Sequence, residues 1–368
     1  MTVIRAALLG FGTVGRGVYS IVQQRREELK QRLGGAELVI VKVLVRDLHK
    51  SKRLLPDGCT NDAELLTNNI DDVFQADVQV VFEALVGEEP AFTYLRRAIV
   101  EHGCTVVTSN KVMFARYGAA LQELAASHTP TPPLFPATRV YVGFEATVAA
   151  GVPIIKTLQN MCHVQRVRKI EGIVNGTSNL ILTELREHPE KTFEEVLKKA
   201  QELGYAEADP TNDISGQDAF MKLLVMASIA FGHQPSRSII PVTGIDTLTP
   251  EMLQDARAKG LRYRHVVSAA METVAPTSSL SSPSLSALTE GVQPPTQSPR
   301  EQLTCFVKPM LLGPEHPLYH MDGTTSAVSV WTDLLGVVTI SGPGAGMYPT
   351  ASAMMEDYAV WMAAFRRS

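Results

Sequence analysis

The sequence predicts an α/β chain: a doubly wound parallel sheet joined to a second domain of α+β type. Three observations carry this. Short β-branched runs alternate with helical runs through the first third of the chain, a glycine turn joins the first strand to the first helix, and the later segment "HVQRVRKIEGIVNG" alternates as an antiparallel strand does. The opening "TVIRAALLGFGTVGRGVYSIVQQRREELKQRL" reads as strand, turn and one long amphipathic helix, and "AELVIVKVLVRD" supplies the second strand of a βαβ unit. "VQVVFEAL" and "CTVVTSN" are further strands, separated by the helical "AFTYLRRAIVEHG". The proline-rich "TPTPPLFP" interrupts this rhythm, and beyond it a strand-like "VYVGFEATV" precedes a helix from Val152 onward. "GQDAFMKLLVMASIAFG" keeps apolar residues at helical spacing until Gly232, with Ser215 or Asp213 as the expected N-cap. Residues 275–297 are rich in Ser, Pro and Thr and read as a surface excursion. The tail "VVTISGPGAGMYPTASAMMEDYAVWMAAF" is strand, glycine turn and helix, placed to return to the first sheet. The expected domains are 1–140 plus 341–368, and 141–340.

With 368 residues, 45% hydrophobic and 20% charged, the chain can bury the cores of two domains. A net charge of −4 and a pI near 6.2 give no basic footprint, so the expected partner is a small molecule and not a nucleic acid. The cysteines, Cys59, Cys104, Cys162 and Cys305, are too sparse for a disulfide scaffold and lack zinc-site spacing, which suits a reducing cytoplasm. No basic leader opens the sequence and no run of about 18 apolar residues occurs, so neither export nor a membrane span is expected.

"GFGTVG", residues 10–15, has the G-x-G-x-x-G spacing between a strand and a helix. Glycines there permit the tight turn and let a pyrophosphate approach the helix N-terminus, which makes the first domain Rossmann-type and dinucleotide-binding; the alternative is a turn that only packs strand on helix. At the end of the second strand, Arg46 precedes Asp47. An arginine there suits a 2′-phosphate and favours NADP, though the surrounding loop is basic throughout and the pair also reads as a solvated loop start. "TSNK", Thr108 to Lys111, ends a predicted strand at the sheet edge where ligands bind, while Lys111 taken alone reads first as a helix-start lysine facing water. "GIVNGTSNLIL" leads a turn into a helix whose amides, with the Thr177 hydroxyl, suit a carboxylate, although Asn-Gly is commonly only a cap.

"LGYAEADPTNDISGQDAFMKLL" sets Glu207, Asp209, Asp213 and Asp218 ahead of Lys222. Acids at a helix start are ordinary. This helix, however, is apolar almost all round, so Asp218 and Lys222, four residues apart, share one side of a buried rod, either as a structural ion pair or as a proton-transfer pair.

Taken together, "GFGTVGRG", "TSNK", "FEATVAAGVPII", "GIVNGTSNLIL", "LGYAEADPTNDISGQDAFMKL", "HPL" at His316 and "GPGAGMYPTASA" resemble the homoserine dehydrogenases nearly end to end. The resemblance implies NAD(P)-dependent interconversion of L-homoserine and L-aspartate 4-semialdehyde, in threonine and methionine biosynthesis. It places the cofactor-binding turn on Gly10, Gly12, Thr13, Val14 and Gly15, beside the cofactor contacts read above at Arg46, Thr108 and Lys111, with NADP favoured and NAD possible. Lys222, Lys111 and Asp218 match the catalytic residues, with Lys222 as primary proton carrier and Lys111 steering substrate and cofactor. Glu207, Asp213, Gly176, Thr177 and Tyr205 match the substrate contacts. Glu145 with the carbonyls of Val148, Ala150 and Val152 matches a structural monovalent cation site for an ion such as Na+. A homodimer formed through the sheet of the second, catalytic and dimerisation domain is implied as well.

The sequence departs from the family pattern at four places. The family usually has glycine at one or both of Ala149 and Ala150, which bears on the cation-site carbonyls. Glu88 in "LVGEEPA" stands where a second glycine is common, Ser326 stands where asparagine is usual, and the Ser/Pro-rich excursion carries no family motif. Many bacterial members continue into an ACT domain; the sequence shows none after the "GPGAG" helix, so threonine feedback through such a domain is not expected. Two other classes stay open on sequence: another amino-acid or imine dehydrogenase on this scaffold, and a nucleotide-sensing dimer without turnover. Retention of Lys111, Glu207, Asp218 and Lys222 argues against the sensor.

Overall fold

A buried parallel strand needs apolar residues on both faces, and β1 (Val3–Leu9), reading VIRAALL, meets that requirement over its second half. In the computed structural model, which describes residues 2–55, 60–128, 140–206, 208–274 and 300–365, β1 is central to a six-stranded sheet. The other strands are β2 (Glu37–Leu44), β3 (Leu66–Thr67), β4 (Val80–Glu83), β5 (Thr105–Thr108) and β6 (Val142–Gly143). Their order is β3-β2-β1-β4-β5-β6 and every pairing is parallel. The order reverses between β1 and β4, so the crevice at the carboxyl ends of these strands is where a dinucleotide binds such a sheet.

The expected single helix after the glycine turn is two helices, Thr13–Gln24 and Arg26–Arg32, broken at Arg25. Only the first buries a full face. Arg26–Arg32 has no fully buried residue and only Leu29, partly buried, packs against the core, so little tertiary packing holds it collinear with its predecessor.

The second sheet is antiparallel throughout and contains β7 (Val167–Ile173), β8 (Arg262–Val274), β9 (Arg300–Leu312), β10 (Thr325–Thr332) and β11 (Gly336–Pro343) in the order β11-β10-β7-β8-β9. Ile170, Val267, Val307, Val328 and Val330 form the inward face and share a core with Leu223, Leu224 and Met226 of the helix Gln217–Phe231. That helix is apolar all round because it packs against the sheet, the helix Ile154–Cys162 and the helix Lys111–Ser127 together.

Three expectations need correction. The strand-like "VYVGFEATV" contributes only β6, after which a 3₁₀ turn, Glu145–Thr147, and two left-handed residues, Ala149 (φ 51) and Ala150 (φ 44), coil the chain into a loop. The tail strand does not return to the first sheet: β11 pairs with β10. Only the following helix, Met347–Phe365, reaches the first domain, where Met354, Tyr358 and Trp361 join the core of Ile4, Val18 and Phe82, each buried side chain contributing about 1.5–3 kcal/mol. A Cβ at Gly17 would stand 2.8 Å from the Met347 carbonyl oxygen, which is why the two helices can approach so closely there. Finally, neither Ser215 nor Asp213 caps the Gln217–Phe231 helix. Its N-cap is Gly216 at φ 87, where a Cβ would meet the His265 ring at 2.9 Å, while Asp213 lies in a separate turn, Thr211–Ile214.

β6 carries the first sheet to Gly143 and β11 carries the second to Pro343, so each sheet runs a few residues past the boundaries expected at 140/141 and 340/341. The excursion 275–297 and Glu207 lie outside the described residues. Among the described residues no helix is long and apolar enough to cross a membrane.

Candidate active site

The glycine turn closes by backbone contact. Gly10 has φ 98, its amide donates to the Leu44 carbonyl at 2.9 Å, and a Cβ there would stand 2.7 Å from the Ala84 carbonyl oxygen. Gly15, on the buried side of the first helical turn, comes so near Gly10 that its Cβ would lie 2.1 Å from the Gly10 oxygen. Gly12, the N-cap, makes no side-chain cap, and a Cβ on it would meet nothing within 4 Å. With Thr13, Val14 and Gly15 opening the helix and no acid in its first turn, the amides and the dipole are available to a pyrophosphate.

Arg46 is exposed just beyond β2. Its neighbour Asp47 is engaged otherwise, as N-cap of the helix Leu48–Lys52, accepting from the Lys50 amide at 2.9 Å. Thr108, the last residue of β5, is fully buried and its hydroxyl donates to Glu83, so that hydroxyl points into the fold.

The acid–lysine cluster is assembled across both domains. Asp218 and Lys222 lie one turn apart on the buried helix, with Lys222 Nζ 2.7 Å from Asp218 Oδ2 and donating to the Val174 carbonyl at 2.6 Å. Lys111 opens the helix Lys111–Ser127 of the first domain and sets its Nζ 2.9 Å from the other oxygen, Asp218 Oδ1. One carboxylate thus bridges two ammonium groups. Burial opposes its ionisation, but Lys222 and Lys111, aided by hydrogen bonds from Lys222 and Asn175, hold Asp218 well below the usual carboxylate range. Asp213 moves the other way: burial raises it, the Asn175 hydrogen bond opposes, and the charge on Asp218 adds to the rise.

Asn175 organises this end of the cleft. It is the N-cap of the helix Gly176–Glu187, its Oδ1 accepting from the Ser178 amide, while Nδ2 donates to Asp213 at 2.7 Å and to Asp218 at 2.9 Å. Gly176 and Thr177 occupy the first turn, where helix amides have no internal partner. The Thr177 hydroxyl is engaged with the Tyr205 carbonyl at 2.8 Å, and Tyr205 itself is half-exposed. Lys111, Asn175, Gly176, Thr177, Tyr205, Asp213, Asp218 and Lys222 line one cleft of about 570 Å³, which Val14 of the glycine turn and Gly344 to Gly346 of the "GPGAG" turn also border.

Glu145 is fully buried, and both carboxylate oxygens accept amides at the start of the helix Ile154–Cys162, from Ile155 at 2.8 Å and Lys156 at 2.9 Å. Asp357 of the last helix accepts from the Glu145 amide at 2.8 Å and pairs with Lys156 at 3.2 Å. Val148, Ala150 and Val152 are buried in the loop between, as is Ala149, and the Val152 carbonyl already accepts from the Ile154 amide. Among the described residues no group of three or more acidic, His or Cys side chains could hold a metal.

Three participants were not singled out from sequence. Asn175 and the Val174 carbonyl lie inside "GIVNGTSNLIL", where an Asn between strand and helix signals an N-cap but not its two donations. Glu83 ends an otherwise apolar strand, the one signal it gives.

A parallel dinucleotide-type sheet whose carboxyl edge opens on a cleft with a carboxylate held between two lysines is the architecture of an NAD(P)-dependent oxidoreductase. The comparisons name the family. A model for "Homoserine dehydrogenase, NAD binding domain" matches residues 10–131, and one for "Homoserine dehydrogenase" matches residues 153–358. The homoserine dehydrogenase of Bacillus subtilis (strain 168) is 35% identical over 361 residues, covering 97% of this chain and 72% of the relative. A protein of Pseudomonas canavaninivorans called NAD(+)-dependent homoserine dehydrogenase is 30% identical over 375 residues, covering 97% and 96%. Among solved structures, a homoserine dehydrogenase from Thiobacillus denitrificans superposes with a TM-score of 0.82 at 34% identity, covering all of this chain and 75% of that one. The chain belongs to the homoserine dehydrogenase family, whose members act on the hydroxyl of homoserine, and neither the nucleotide sensor nor another dehydrogenase is favoured.

Proposed function

We propose that the chain interconverts L-homoserine and L-aspartate 4-semialdehyde, with NADP preferred and NAD also accepted. The observation that carries this is the Lys111–Asp218–Lys222 cluster at the bottom of the cleft. Lys222 has three donors, two of which go to Val174 and Asp218, and its remaining N–H suits the substrate oxygen. It moves the proton there. Asp218 fixes the direction of that ammonium, and Lys111 steers the substrate carbon toward the cofactor side of the cleft. The amides of Gly176 and Thr177, with Tyr205, suit the substrate carboxylate; Asp213, and Glu207 outside the described residues, suit its ammonium.

Gly10, Gly12, Thr13, Val14 and Gly15 would hold the pyrophosphate. Thr108 and Lys111 lie toward the nicotinamide end, Thr108 through strand-end backbone because its hydroxyl is engaged. The bound nicotinamide supplies the hydride acceptor or donor. Arg46, unpartnered by Asp47, suits a 2′-phosphate. A monovalent cation at Glu145, Val148, Ala150 and Val152 would rest chiefly on carbonyls, since the Glu145 carboxylate already accepts two amides.

The test is oxidation of NADPH beside NADH with aspartate semialdehyde, in the wild type and in Arg46→Asp. Turnover with semialdehyde is expected, and Arg46→Asp should weaken NADPH use far more than NADH use. No turnover refutes the reaction, and equal loss with both cofactors removes Arg46 from the site.

We place the division between a dinucleotide-binding domain (1–140 plus 341–368) and a substrate domain (141–340), with edges adjusted to the strands. A cytoplasmic homodimer is the expected form. Leu334, Leu335 and Val337 at the β10–β11 hairpin are 67%, 58% and 47% exposed, an apolar edge that suits a second copy. Sedimentation at micromolar concentration should give a dimer, and a monomer would count against that assembly.

A further inference from the structure

We infer that Glu83 is a positioning residue, setting the start of the Lys111–Ser127 helix, and with it Lys111, against Asp218. This goes beyond the reaction proposed above and rests on it only in giving Lys111 its role.

Glu83 is fully buried at the end of β4. Its Oε1 accepts from the Leu85 amide at 2.7 Å and from Asn110 Nδ2 at 3.3 Å, and its Oε2 accepts from the Thr108 hydroxyl. All three partners are neutral donors. Burial accordingly pushes the Glu83 carboxyl up to about 7, with the hydrogen bonds from Thr108, Leu85 and Asn110 opposing. A carboxyl kept there at such a cost calls for a role, and the hydrogen bonds supply one.

These partners tie Glu83 to the junction between β5 and the Lys111–Ser127 helix and to the loop that follows its own strand. Thr108 ends β5, and its oxygen also accepts the Asn110 amide at 2.9 Å. Asn110 is the N-cap of the Lys111–Ser127 helix, its Oδ1 accepting from the Met113 amide at 3.1 Å, and its Nδ2 also donates to the Gly87 carbonyl at 2.7 Å. Gly87 lies in the loop after β4, at φ 91, and Glu88 beside it forms an ion pair with Arg116 of the same helix. Glu83 therefore fixes the cap immediately before Lys111 and the loop that faces it. Among the described residues Lys111 is the one lysine of the first domain that lines the cleft, and its 2.9 Å contact with Asp218 depends on where this helix begins.

The test is a double-mutant cycle with Glu83→Ala and Lys111→Ala, measuring kcat in both directions, with Glu83→Gln as the conservative variant. Glu83→Ala should lower kcat on the order of 10²-fold, as small misplacements near reacting groups do. In the Lys111→Ala background the same change should have little further effect, because the two act as one unit. Glu83→Gln keeps an acceptor for Leu85 and Asn110 and should retain most of the activity. Additive losses, or a Glu83→Gln variant as slow as Glu83→Ala, overturn the inference. If Glu83→Ala fails to melt cooperatively, Asn110→Ala removes the same bridge from its other end and enters the same cycle.

A readout that needs no turnover separates this from the assigned reaction: amine labelling resolved by mass spectrometry. Glu83→Ala should raise labelling of Lys111 severalfold by loosening its pair with Asp218, while buried Lys222 stays as in wild type. Unchanged Lys111 labelling overturns the positioning role even if the reaction stands; raised labelling in an enzyme that ignores semialdehyde leaves positioning intact and refutes the reaction.

Discussion

Replacing Lys222 with alanine should abolish measurable turnover while leaving NADPH affinity near that of the wild type. Loss of a positioned acid/base costs roughly 10²- to 10⁴-fold in rate, which exceeds what a surface change does. The cofactor turn lies on the first domain, whereas Lys222 is anchored to Asp218 and the Val174 carbonyl of the second, so fluorescence titration with NADPH should barely change. Stability is the competing explanation. Breaking a buried ion pair commonly costs about 3–5 kcal/mol because a charge is left alone. Here Asp218 keeps Lys111 at 2.9 Å and Asn175 at 2.9 Å, so the fold should survive and the melting temperature should fall only modestly. Asp218→Asn keeps the shape and loses the charge, and should slow the reaction less than Lys222→Ala. If Lys222→Ala retains near-normal turnover, the pair is structural and Lys111 becomes the leading acid/base.

Much of this site was legible because its chemistry conflicts with its surroundings. An aspartate and a lysine four apart in a helix that is apolar all round must meet, and they do. The glycine turn was legible for a similar reason, since only its spacing between strand and helix lets the backbone close on itself. What could not be read was contact between distant segments. Lys111 looked like a solvated helix-start lysine until the second domain brought Asp218 against it. Asn175 signalled a cap, but nothing local signals that one amide serves two carboxylates. The cap follows the same rule: Gly216, at φ 87 and pressed against His265 of β8, takes the position expected for Ser215, and that contact with a distant strand leaves no local signal. The pairing of β11 with β10, by contrast, is local: only Asp333 to Leu335 separate the two strands, a hairpin that a reading of the tail from its own strand onward passes over.

Gly15→Ala and Gly12→Ala, a few residues apart in one motif, should fail in different ways. A Cβ at Gly15 would lie 2.1 Å from the Gly10 carbonyl oxygen, and that oxygen belongs to the backbone of a closed turn, so the strand or the helix must shift. Overpacking of this kind costs about 1–3 kcal/mol, and the melting temperature should drop by several degrees along with cofactor binding. Gly12 has φ −75, which alanine adopts freely, and its Cβ would meet no protein atom within 4 Å. Gly12→Ala should therefore melt like the wild type, within about 0.5 kcal/mol as for other uncrowded positions. Its effect should appear only with ligand: a methyl group at the mouth of the Thr13–Gln24 helix stands where the pyrophosphate must approach the amides, and a loss of about 1.4 kcal/mol there already weakens NADPH tenfold. Calorimetry of each variant with and without NADPH separates the two effects. A Gly12→Ala enzyme that binds NADPH normally would move the pyrophosphate away from this turn, and a Gly15→Ala enzyme with unchanged melting would mean that the turn does not close on Gly10.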